Sequence, residues 1–200
     1  MRLVLRDGSE VVVRPIRPDD RDAIVTAFER LSEQSRYQRF MTAIDELSPS
    51  QLEYLTDVDH HDHEALVAFD PASDEGVGVA RFVRLDDGTS AEAAVTVIDA
   101  WQGRGLGVAL CNLLAERARE EGVTKFTALL LAGNDQMHDV LASLGPSKVL
   151  SRKAGTVEIE VEIPERGIGD HMAGVLRVVA GGTVELATPP WGLRVARESD

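Results

Sequence analysis

The sequence predicts an α/β fold: a mixed, mostly antiparallel sheet of about six or seven strands flanked by helices, with a C-terminal extension. Three observations carry this expectation. Short β-branched or alternating runs recur between turn signals, as strands do. Between them lie stretches with apolar residues at helical spacing. At the centre, residues 91–121 pass from a strand through a glycine-rich turn into an amphipathic helix.

The 200 residues suit one domain with an appendage. Hydrophobic content of 44% beside 28% charge is that of a globular chain with a real core. The net charge of −13 argues against a nucleic-acid surface and against anionic lipid. It favours cationic partners such as amines, while also keeping the chain soluble. The single cysteine, Cys111, lies in the helix after the glycine turn and reads as a core residue. No apolar run reaches membrane-spanning length, and MRLVLRDGSE turns polar too early for a signal peptide. The expected location is therefore cytoplasmic.

In chain order, Glu10 to Ile16 is a β-branched strand, with Arg2 to Leu5 as a short partner across the Asp7-Gly8 turn. Pro18-Asp19-Asp20 opens a helix with Ile24, Ala27, Phe28 and Leu31 at helical spacing. Ser32 to Phe40 is a second short helix. Ser48-Pro49-Ser50-Gln51 starts a third, with Ser48 as N-cap and Gln51 closing a capping box. Ala65 to Phe69 and Val77 to Leu85 are strands. Glu92 to Ile98 is the central strand, joined to the preceding one by a loop so short that the pair must be antiparallel. The helix after the glycine turn buries Leu106, Ala109, Leu110, Leu113, Leu114 and Ala118 and ends near Gly122. Lys125 to Leu131 is nearly all apolar, as expected of a strand covered on both faces. Asn134 to Leu144 is a helix; Lys148 to Ser151 and Val157 to Ile163 are strands. The domain is bounded at 1–163. Residues 164–200 form an extension expected to pack on the domain or on a second copy, as a homodimer.

The turn Gln102-Gly103-Arg104-Gly105-Leu106-Gly107 is the chemical centre. Its three glycines allow a tight curl and remove the Cβ atoms that would hold a ligand away. The helix behind it offers unpaired N–H groups and a partial positive charge, so the whole is an anion site. It lacks the first glycine of a dinucleotide fingerprint and the Gly-Lys-Ser/Thr of a P-loop. Asp57, Asp59, His60, His61, Asp62 and His63 are ligand types for a metal. Yet they lie in one loop without a second cluster, so a solvated loop beside the substrate groove is expected, and no metal. Its acids and Glu64 would attract a cationic substrate.

Gln102-x-x-Gly105-x-Gly107 after a strand, then a helix, an apolar strand, and the Asn134-x-x-Met137 helix ending in Leu144-Gly145 resemble the GNAT N-acetyltransferases. The resemblance spans roughly residues 10–163. Arg14-Pro15-Ile16-Arg17-Pro18-Asp19-Asp20, Ser35-x-Tyr37-x-Arg39-Phe40 and Trp101-Gln102-Gly103-Arg104-Gly105 resemble bacterial protein lysine acetyltransferases in particular. The resemblance implies acetyl-CoA as donor and an amine as acceptor. Gln102 would head the turn, and the backbone of Gly103, Arg104, Gly105, Leu106, Gly107 and Val108 would hold the pyrophosphate. The strand end near Val97 and Ile98 would pair with the pantetheine arm, a bulge or splay leaving backbone groups free. Glu92 would be the general base, directly or through water. Asn134 would contact the cofactor or cap its helix. Leu141 stands where many members carry a tyrosine acid, so the thiolate would leave unaided or take a proton from water. Arg36, Tyr37, Arg39 and Phe40 would wall the acceptor groove or simply pack, and Trp101 would pack. The expected acceptor is a protein lysine; the alternatives are a small amine, or a non-catalytic CoA sensor.

Overall fold

The computed structural model of the protein describes residues 1–165. Within them the chain forms strands β1 (Arg2–Val4) and β2 (Glu10–Pro15), helices α1 (Arg21–Glu29), α2 (Glu33–Phe40) and α3 (Pro49–Thr56), and strands β3 (His63–Asp70), β4 (Glu75–Arg84) and β5 (Ser90–Val97). Helix α4 (Leu106–Glu120), strand β6 (Lys125–Leu131), helix α5 (Asp135–Ala142) and strands β7 (Ser147–Lys153) and β8 (Thr156–Glu162) follow. The eight strands make one sheet in the order β1-β2-β3-β4-β5-β6-β8-β7. All neighbours are antiparallel except β5 and β6, which are parallel because α4 carries the chain back between them. Residues Arg2–Pro164 form one compact unit; the expected extension from residue 166 onward lies outside the described residues.

Alternation along the strands divides the apolar residues between two faces. Gly78 faces α4, where Leu110 and Leu106 would lie 3.0 and 3.3 Å from an added Cβ. Leu106, Leu110 and Leu114 pack there with Phe82, Val95 and Phe126. The next residue, Val79, points the other way, towards Ile24 of α1 and Leu52 and Leu55 of α3. The Ser48 capping box forms as expected, with Gln51 N–H donating to Ser48 Oγ and Ser48 N–H to Gln51 Oε1. Cys111 is fully buried, and burial pushes its thiol up to about 12.

The short Arg2–Val4 segment pairs with β2 as expected, which brings the sheet to eight strands. Two expectations change. Pro18–Asp20 is a 3-10 turn that precedes α1 rather than its first turn. Strand β6 is not covered on both faces: its burial alternates, and Leu129 is 48% exposed.

The feature that matters for function is where β5 and β6 part. They pair only through Ser90, Ala91 and Glu92 with Lys125, Phe126 and Thr127. Beyond Glu92, β6 stays bound to β8 and β5 to β4, so a wedge opens between them. The expected freeing of backbone groups is thus met by a splay; β5 itself has no bulge against β4.

Candidate active site

A cleft of about 460 Å³ fills the wedge. Gln102, Gly103, Gly105 and Gly107 line one end, Val97 and Leu129 the middle, and Glu92, Arg39 and Phe40 the other end.

At the first end, Gly103 and Gly105 have φ of +73° and +90°, which only glycine adopts without strain. Gly105 is the N-cap of α4 and has no side chain to cap it, so the N–H groups of the first turn stay open. At Gly107 a Cβ would point between β5 and α5, 3.7 Å from Val140 and 4.0 Å from Val97. Any larger side chain would fill the cradle. The turn is clamped from outside. Arg6 N–H donates to the Arg104 carbonyl at 3.2 Å. The Arg104 guanidinium donates to the Ala100 carbonyl at 2.8 Å and lies over the Trp101 ring.

Gln102 joins the turn to the cleft walls. Its amide, oriented by its neighbours, donates to the Val97 carbonyl at 3.0 Å and to Ser35 Oγ at 3.3 Å. Just before the turn, Asp99 accepts from Ser32 N–H and Oγ and from Ser35 Oγ. Burial alone would raise the Asp99 carboxyl, but these hydrogen bonds outweigh it and hold the group below its ordinary value. The N-terminus of α2 is thereby fixed over the glycine turn.

At the other end, Glu92 is the last β5 residue paired with β6. It is exposed, shares a strand face with Ala94 and Thr96, and has no hydrogen-bond or ion-pair partner among the described residues. Arg39, from α2, is half-buried, with its guanidinium 5.1 Å from the Phe40 ring centroid.

The GNAT acetyltransferase family, as a sequence model, matches residues 26–145. The chain belongs to this family. As a GNAT member it is an N-acetyltransferase that takes acetyl-CoA as donor and an amine as acceptor. Acetyltransferase PA5475 of Pseudomonas aeruginosa is 35% identical over 143 residues, covering 70% of this chain and 77% of that protein. Acetyltransferase Pat of Mycolicibacterium smegmatis is 34% identical over 161 residues, and this chain spans 48% of its length. The crystal structure of the GNAT domain of S. lividans PAT matches with a TM-score of 0.76 and 34% identity, over 81% of this chain and 96% of that one.

The cleft of this GNAT domain fits a diphosphate at the turn: open N–H groups converge there and no Cβ intrudes. Of the expected site residues it gathers Glu92, Val97, Gln102, Gly103, Gly105, Gly107, Val108, Asn134 and Phe40. Leu106 turns its side chain into the core, and Arg104 lies on Trp101, so only their backbones belong to the turn. Ile98 does not join: it is buried, and its N–H donates to the Val77 carbonyl. Arg36 lies over Phe28 and donates to the Glu29 and Asp45 carbonyls, and Tyr37 faces solvent; neither lines the cleft. Asn134 caps α5 by accepting from Met137 N–H. Leu141 is buried and offers no proton.

The His-rich loop is also elsewhere. Its Asp59 accepts three backbone N–H groups, His60 and His61 meet Glu64 and Glu121, and His63 meets Arg81; none of these residues lines the cleft, although Arg39, near Arg81, does. Arg6, Ser35 and Leu129 line the cleft unforeseen. The spacing of Ser35 and Arg39, one helical turn apart, is the signal that would have placed both on one face of α2.

Proposed function

We propose that this GNAT domain acetylates a lysine side chain of a protein, by direct attack of the amine on the thioester, with Glu92 as general base. The observation that carries it is the position of Glu92. It is an unpaired carboxylate where β5 leaves β6, facing a cleft whose far end is the glycine turn. The resemblance to bacterial protein lysine acetyltransferases supports the acceptor class.

Bound acetyl-CoA supplies an activated thioester, so the protein needs no covalent nucleophile. The turn's N–H groups from Gly103 to Val108 hold the diphosphate, and Gln102 keeps the end of β5 in register with them. Backbone groups of β5 that face β6 beyond Glu92 have lost their ladder partners. They align the donor arm and polarise the reacting carbonyl. A lysine amine arrives protonated at neutral pH; the Glu92 carboxylate removes a proton, directly or through one water. Phe40 and Arg39 wall the acceptor side. Leu141 cannot protonate the departing thiolate, which leaves unaided or takes its proton from water.

Substituting Glu92→Gln tests this. Turnover at neutral pH should fall roughly 10²- to 10⁴-fold, with acetyl-CoA affinity unchanged by calorimetry. Unchanged turnover across the pH range would remove Glu92 from the mechanism.

A further inference from the structure

Most arginines that reach the interior of this acidic domain find an acceptor. Arg14 meets Asp20 at 2.6 Å, Arg84 meets Asp62 at 2.6 Å and Arg117 meets Glu64 at 3.0 Å. Arg36 rests on two carbonyls. Arg39 and Arg81 are different. Neither meets a carboxylate at ion-pair distance among the described residues. Arg81 is 5% exposed and is held by neutral groups, the Leu55 carbonyl at 2.7 Å and His63 Nε2 at 3.2 Å. Burial, then the Arg81 charge, lowers the His63 pKa, which suits a ring accepting from Arg81. The Arg39 guanidinium has no hydrogen bond among the described residues; it has the Phe40 ring, and it feels the Glu92 charge without an ion-pair contact. The two cations also act on each other: burial first, and Arg39 second, pull Arg81 down to about 10.

A cavity of about 60 Å³ lies beside them. Its walls are largely apolar, among them Phe28, Leu31 and Leu55, with Arg39 and Arg81 as the only charged residues among the described ones. It shares Arg39, Phe40, Ala94 and Thr96 with the thioester cleft, so the two spaces meet at β5. Space of this size takes about four to six water-sized groups. Among the described residues no carboxylate lines it. Arg39 is half-buried at the mouth between the two spaces with its guanidinium donors unspent, and Arg81 behind it adds a second positive charge, so the fold leaves donors here for an acceptor from outside.

We propose that Arg39, backed by Arg81, forms a carboxylate-binding subsite beside the point of acyl transfer, and that the carboxylate arrives on a substrate. The proposal rests on the reading that the cleft holds the donor thioester. Two sources present the same chemistry. One is the terminal carboxylate of a dicarboxylic acyl donor, whose extra atoms would enter the cavity past Ala94 and Thr96. The other is an acidic side chain next to the acceptor lysine, reaching Arg39 from the open side.

Two arms separate them in the full chain. In the first, calorimetry measures acetyl-CoA, butyryl-CoA and succinyl-CoA binding to the unsubstituted chain, Arg39→Gln and Arg39→Lys. If the donor carries the carboxylate, succinyl-CoA binds more tightly than butyryl-CoA, which has the same carbon chain but no carboxylate. Arg39→Gln then weakens it roughly 10- to 100-fold relative to acetyl-CoA, as loss of a charge-assisted hydrogen bond should, and Arg39→Lys restores part of the difference. In the second, acetyl transfer to lysine peptides flanked by Asp or by Asn is compared; an acceptor carboxylate shows as an Asp preference in kcat/KM that Arg39→Gln abolishes. Absence of carboxylate preference in both arms, or a preference that survives Arg39→Gln, overturns the subsite. If the unsubstituted chain binds none of the three thioesters, the cofactor reading fails, and this proposal with it.

Discussion

Two of the places where this domain sets a glutamate near an arginine are built in opposite ways. Glu64 is 1% exposed and accepts from Arg117 Nε, from a His60 ring nitrogen and from Ala65 N–H. Arg117 also donates to Glu120, Glu121 and the His60 carbonyl. Glu92 and Arg39 lie in the cleft, feel each other's charge, and make no bond to each other or to any other described side chain. The first network is closed: it ties the His-rich loop to the end of α4 and has nothing left for a ligand. The second is open, and its unspent hydrogen-bonding capacity is what a substrate can use.

The largest effect should come from opening the closed network. Arg117→Ala strands a buried carboxylate and should cost about 3–5 kcal/mol in urea denaturation. Glu64→Leu with Arg117→Met should recover most of that loss, since a well-packed apolar pair substitutes for a buried ion pair. A loss under about 1 kcal/mol for Arg117→Ala would break the contrast.

Acid should act on the same network more gently. Burial alone would raise the Glu121 carboxyl, but hydrogen bonds from His61 and Arg117 outweigh it and hold the group below its ordinary value of 4.5. A depressed folded pKa contributes stability above the unfolded value and loses it as pH falls through the folded one. Stability should therefore decline below a pH of about 4.5. Glu121→Gln should flatten that slope, which a denaturation series at stepped pH would read out.

The smallest effect belongs to the cleft. Arg39→Met removes a cation that has no partner, so stability should change by less than about 1 kcal/mol, and any change should be a gain. A large loss measured by thermal melting would show that Arg39 is structural and belongs with Arg117.

The parts of the fold legible in the sequence were local. Ser48 and Gln51 three residues apart announce a capping box whatever surrounds them. Gly103 and Gly105 announce left-handed backbone, and Leu106, Leu110 and Leu114 a buried helical face. The acceptor side was less legible. The resemblance puts Arg36, Tyr37, Arg39 and Phe40 on the groove wall together, yet α2, held by Asp99 through Ser32 and Ser35, turns only Arg39 and Phe40 of these to the cleft, with Ser35 beside them. Aspartate 99 lies more than sixty residues from its partners, so no window of sequence contains the contact. Ile98 failed for the same reason: its N–H is claimed by Val77 of a neighbouring strand.

By itself, then, the sequence determined the glycine turn, its helix and the anion they can hold, because backbone conformation and helix termini depend on adjacent residues. Tertiary structure alone decided the wedge beyond Glu92, where pairing to β8 pulls β6 away from β5. It alone decided that Glu64 would be tied down and Glu92 left free. Burial and ion pairing are sums over elements distant in the chain, and only the packed sheet adds them up.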